Sequence, residues 1–93
     1  MTIIDFDIYT GDKFEKTLTL NEDMTGKTLY MTVVDSDGGV FVPVATWIDQ
    51  TIGKVKFTIT DTSSIATGLG KHDISVDNEE TIIKGRIYVE GDV

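Results

Sequence analysis

Side-chain branching restricts this chain more than any other feature. Its 93 residues include 14 Thr, 11 Ile and 9 Val against only 4 Leu and 2 Ala. A branch at Cβ stiffens χ1 and crowds a helical turn, whereas it packs well on a pleated surface, so this balance selects strands over helices. The residue order agrees, because apolar and polar positions alternate with the period of two that a half-buried strand requires. An all-β fold is expected.

Seven segments carry the alternation. In 2–8, Ile4, Phe6 and Ile8 alternate with Asp5 and Asp7, and Tyr9-Thr10-Gly11-Asp12 reads as a turn. Segment 13–20 sets Phe14, Leu18 and Leu20 on one face, and Lys16 intrudes there. That places Lys16 near a sheet margin, where its stem packs and its ammonium reaches water. In 28–34, Leu29, Met31 and Val33 oppose Tyr30, Thr32 and Val34, and Asp35-Ser36-Asp37-Gly38-Gly39 forms a hairpin turn because glycine accepts positive φ. Segment 40–48 holds Pro43, which lacks a backbone donor and marks an edge strand; its apolar parity changes around Ala45-Thr46, implying a bulge or break. Segment 54–60 alternates most cleanly, with Val55, Phe57 and Ile59 inward. Residues 61–67 do not alternate and predict a single helical turn crossing between sheets, closed by Gly68 or Gly70. Segment 71–77 sets His72, Ile74 and Val76 against Lys71, Asp73 and Ser75. After Asp77-Asn78-Glu79-Glu80, segment 81–90 sets Ile83, Gly85, Ile87 and Val89 against Ile82, Lys84, Arg86, Tyr88 and Glu90.

Short strands, frequent turns and no long helix describe one antiparallel β-sandwich domain over 1–93, with a small open barrel as the competing architecture. A chain of this length buries roughly 60–65% of its unfolded surface, enough for one core and too little for a deep cleft. Sixteen acidic residues outnumber eight basic ones for a net charge of −8, and the basic residues are scattered. Phosphate backbones are repelled by that balance, so nucleic acid is not an expected partner. No apolar stretch approaches the ~20 residues of a membrane helix, so no membrane partner is expected and a soluble chain is. Cysteine is absent, and core packing alone must stabilise the fold.

Reactive constellations are sparse. His72, the one histidine, keeps step with Ile74 and Val76, which fits a core histidine better than a catalytic base. Gly26-Lys27-Thr28 matches the end of a phosphate-binding loop, but the glycine needed five residues earlier is Asn21. Asp35-x-Asp37-Gly38 matches part of a calcium loop but lacks the third acidic position and the distal Glu, leaving a hairpin turn. Asp5, Asp7, Asp12, Glu15 and Asp73 could supply a carboxylate pair, yet most fall on outward strand positions with no cleft to raise a pKa. No catalytic, cofactor-binding or metal-ligating residue is therefore expected, and the chain does not read as an enzyme.

Surface that is apolar without serving the core remains. Tyr30 and Val34 fall on the outward face of one strand, Ile82 and Tyr88 on that of the last, and Trp47 near the parity change. Each alone is ordinary, whereas contiguous ones would form an interaction patch. Exposed Tyr30, Trp47 and Tyr88 in a linear row would instead stack on sugar rings, as in a carbohydrate-binding or cell-surface-binding module.

Read in order, the residues resemble the immunoglobulin-like N-terminal domain of phage baseplate upper proteins and its small relatives in tailed phages and prophages. The resemblance runs through Phe6-Asp7-Ile8-Tyr9, Gly11-Asp12 with Phe14, Leu18-Thr19-Leu20, and Met24-Thr25-Gly26 before Leu29-Tyr30-Met31-Thr32-Val33. It continues through Gly53-Lys54-Val55-x-Phe57, the Ser/Thr-rich crossing to Gly68, Asp73-Ile74-x-Val76 and Gly85-Arg86-Ile87-x-Val89. His72 stands where relatives often carry an aromatic, and the coiled-coil or receptor-binding portion that follows this domain in many relatives is not expected here. The resemblance implies an immunoglobulin-like sandwich and a non-enzymatic virion component of the tail, baseplate or capsid surface. Its implied partners are other virion proteins and further copies of itself in a homo-oligomer.

Overall fold

The computed structural model describes residues 2–77 and 79–91. Their strands are β1 (Thr2–Ile3), β2 (Phe6–Tyr9), β3 (Phe14–Thr19), β4 (Leu29–Val34), β5 (Val40–Phe41), β6 (Val44–Asp49), β7 (Lys54–Ile59), β8 (Gly68–Val76) and β9 (Glu80–Glu90). A short 3-10 turn, Gln50–Ile52, follows β6. Two sheets result. The larger runs β1-β9-β8-β4-β5 with β2 also on β9, and the smaller runs β3-β7-β6. They stack as a sandwich with open edges, and the barrel alternative does not close.

The core lies between the inner faces. Met31 and Val33 of β4, Ile74 of β8 and Ile87 of β9 meet Val55 and Phe57 of β7, all essentially solvent-free. Phe6 and Phe14 meet edge to face, with centroids 6.1 Å apart, and join β2 of the larger sheet to β3 of the smaller. Full burial of side chains this large contributes about 1.5–3 kcal/mol each, which is what holds a disulfide-free domain.

Four expectations need correction. The sandwich is not wholly antiparallel: β1 and β2 run parallel to β9 in one constant register, from Thr2 beside Ile83 to Tyr9 beside Glu90. Alternation specifies faces, not partners, so pairing between the chain's two ends is invisible to it. That edge line is interrupted at Ile4-Asp5, where the Asp5 carboxylate accepts the Arg86 N–H at 2.8 Å. Second, residues 61–67 form no helix. Ile65 N–H reaches the Thr62 carbonyl at 3.1 Å, while the Asp61 carboxylate takes the Ser63 N–H and hydroxyl, a local side-chain bond that competes with helix formation. Third, β8 already begins at Gly68. Fourth, the irregularity in 40–48 is split: a break at Val42-Pro43, where the chain changes sheets, and a bulge between Trp47 and Asp49. Asn78, in the last expected turn, lies outside the described residues.

Other expectations stand. Lys16 is exposed on β3, an edge strand, although it shares the inward face with Phe14. Pro43 lies between two edge strands, where a missing donor leaves no ladder bond unmade.

Candidate functional site

His72 is buried between the first strands and the core. Only 4% of it is exposed, and its ring packs on Phe6 at 4.8 Å between centroids. Nε2 bonds to the Ile4 carbonyl, which can only accept, so Nε2 is the donor. Nδ1 is sealed from solvent without a partner. Opposite His72 on β9 stands Gly85, where a Cβ would overlap the same Ile4 carbonyl. Glycine is required here for the N-terminal strand to close down over the histidine.

Outside this layer, the larger sheet presents an open groove of about 680 Å³. Across its floor, Val34 neighbours Lys71, which neighbours Arg86; the next row is Thr32, Asp73 and Lys84. The groove thus gathers three of the chain's eight basic residues together with Asp5 and Asp73. Tyr88 bonds to Arg86 and, with the nearby Asp5 charge, holds the guanidinium pKa above its ordinary value. His72 also borders this groove, with Nε2 bonded to the Ile4 carbonyl and Nδ1 sealed from solvent. Among the described residues no group of three His, Cys, Asp or Glu side chains could hold a metal ion, and no helix is long and apolar enough to cross a membrane.

The five candidate interface residues are not contiguous. Tyr30 (43% exposed) and Tyr88 (39%) share the outer face of the larger sheet, but lie beside Ser75 and Leu69 of β8 respectively, about 20 Å apart along the strand. Val34, half-buried, sits in the groove between them. Ile82 departs from its expected outward position: the bulge that pairs Ile74 with Ile83 and Ser75 with Thr81 leaves it over, half-buried against the core. Trp47 belongs to the other sheet, faces inward beside Val55, packs on the core and donates Nε1–H to the Lys27 carbonyl at 3.2 Å. Tyr30, Trp47 and Tyr88 therefore make no row on which a sugar chain could stack.

An apolar strip emerges instead where the two sheets share a side. Val40, Val42 and Val44 are 62%, 66% and 66% exposed, and Ile48 further along β6 is also exposed. Phe41 and Pro43 between them turn inward, so alternation continues through the change of sheet and points the valines out. The run 38–48 is the longest stretch of the sequence without a charged residue. That signal was available in the amino-acid order; what hid the strip was that both parities of 40–44 are apolar.

The neighbouring hairpin is rigidly tied. Asp35, buried, accepts N–H groups from Asp37 (3.0 Å), Gly39 (2.8 Å) and Ala66 (3.0 Å), joining the β4–β5 turn to the crossing segment. The Ala66 N–H above all, then those of the hairpin, hold its carboxyl below the usual carboxylate range against the opposing effect of burial. The calcium-like spacing thus serves backbone donors.

Comparison with models of known protein families and with curated proteins finds no match.

Proposed function

We propose that this chain is a non-enzymatic structural module of a tailed-phage or prophage virion, a component of the tail, baseplate or capsid surface that acts by docking onto repeated partners. The observation that carries the reading is the charge-free, valine-studded side formed by β5 and β6 on an otherwise strongly acidic sandwich. Exposed apolar surface of this kind marks contact with another protein. The ordered resemblance to immunoglobulin-like baseplate domains supplies the setting. Mechanistically, a rigid sandwich presents one side to a repeating lattice, and symmetry multiplies weak contacts through effective concentration. Mass spectrometry of purified particles from the phage or prophage that encodes the chain tests this. The chain is expected at a fixed ratio to the tail or capsid proteins; its absence from infectious particles would sink the reading.

A further inference from the structure

We propose that β6 is a self-pairing edge, along which two copies of this chain join antiparallel around a two-fold axis and merge their three-stranded sheets into one of six strands. This deepens the docking reading by naming one partner, and it concerns the chain in isolation.

The argument begins with β7, which has β3 on one side and β6 on the other. Phe57 stands between Lys16 and Ala45, and Thr58 between Glu15 and Val44. Equivalent rows therefore end in charge at one edge and in small or apolar residues at the other. A lysine at an inward position of an edge strand blocks further pairing, because an added strand would force its ammonium into the sheet interface. On β6 the matching position is Ala45, and no charge occurs before Asp49. One edge of a single sheet is closed and the other is open.

Symmetry selects a second copy as the occupant, and electrostatics selects this edge for the contact. Two bodies of net charge −8 repel, so they approach most easily through surface that carries none. The run 38–48 is such a surface, and pairing there leaves Asp5, Asp7 and Glu15, on β1–β2 and β3, at the far sides of both molecules. An antiparallel edge is also self-complementary: the unpaired N–H and C=O groups of one β6 meet those of another with no third component. Pro43 before β6 and the bulge after Trp47 confine the pairing and limit slippage of its register. Pairing along one six-residue edge strand covers less than the ~800 Å² per partner of a standard stable interface. The contact is weak and reversible alone, and strengthens in an array.

Sedimentation equilibrium of the full chain from about 20 µM to about 2 mM reads this directly. The weight-average mass is expected to climb from 10.2 kDa toward twice that value as concentration rises. Ala45→Lys, which places the β3 residue on the β6 edge, is expected to hold at 10.2 kDa while keeping the wild-type circular dichroism spectrum. Thr46→Lys, on the outward face of the same strand, instead sets like charges beside each other across the two-fold pairing and is also expected to weaken association, which keeps the test open should the first variant not fold. A wild-type mass fixed at 10.2 kDa throughout overturns the proposal, as does undiminished association of the folded lysine variants. Absence from particles would count against the virion reading alone and leave this association standing.

Discussion

On one side of the sandwich the chain turns from β2 into β3, and the edges there carry Asp5, Asp7, Glu15 and Lys16; on the other it passes from β5 into β6 without a charge between 38 and 48. The difference does not originate in the core, because Phe57, in the middle of the smaller sheet, is fully buried and serves both edges. It originates in the residues at the ends of each row. Lys13 and Lys56 pair with Glu15 at 3.1 and 3.9 Å, so the β3 side is both charged and locally compensated. Edge chemistry is thus set side by side rather than strand by strand, which leaves one lateral surface protected and the other available.

Removing what the two sides share has the largest effect. Phe57→Ala is expected to cost about 3–5 kcal/mol, because a fully buried ring leaves a cavity that the two sheets cannot close. Denaturant unfolding measures it; a loss below about 1 kcal/mol would mean that the edges are held independently of this row.

Gly85→Ala strikes only the charged side. The new methyl collides with the Ile4 carbonyl, and about 1–3 kcal/mol is expected from forcing β1 and β2 away from β9. Hydrogen exchange should show the Ile4 N–H, now bonded to the Lys84 carbonyl at 3.0 Å, exchanging faster while β6–β7 amides keep their protection. Equal loosening of both regions would erase the distinction between the sides.

Acid sharpens the comparison, since each side has a carboxyl held below its ordinary pKa. Asp35 is lowered chiefly by the Ala66 N–H; Glu15 is lowered by its hydrogen bond from Lys13, then by the charges of Lys13 and Lys56. A depressed folded pKa contributes stability that is present above the unfolded value of about 4 and is lost as pH falls through the folded value. Thermal melts between about pH 2 and pH 7 should therefore show a falling limb below about pH 4. Asp35→Asn is expected to flatten part of that limb and to lower the neutral-pH melting temperature, because an amide nitrogen would face a backbone donor. Glu15→Gln should do much less, and less again in salt, because its partners are solvent-exposed. A larger effect from Glu15 than from Asp35 would reverse the ranking.

The smallest change in stability and the sharpest test of the edges is Lys16→Ala. A substitution of an exposed side chain at the sheet margin should stay within about 0.5 kcal/mol in a melt, yet opening the β3 edge should raise association at high concentration above wild type. Association unchanged from wild type would remove Lys16 from the role of blocker.

How much of this could be read in advance varies by residue. Val55, Phe57, Ile83, Ile87 and Val89 are buried as alternation requires, Lys16 lies at a margin, and His72 faces the core. Tyr30 and Tyr88 are exposed on the faces expected of them, but strand parity carries no information about distance along a sheet, so their separation could not be foreseen. Ile82 was displaced by a bulge, an extra residue that alternation does not foresee, while Ile83 beside it kept its inward place. Trp47 gained a carbonyl partner twenty residues away, at Lys27.

Local chemistry by itself determined that this polypeptide forms strands and which strand side chains face the interior in the alternating segments, because χ1 restriction, positive φ at turns and period-two burial act over a few neighbouring residues. Only the tertiary structure decided that the first strands run parallel to the last, that Gly85 must be bare beneath the Ile4 carbonyl, and that Lys16 and Ala45 end opposite edges of one row. Those outcomes depend on pairing between residues far apart in the chain, and no local preference records which distant strand will be the neighbour.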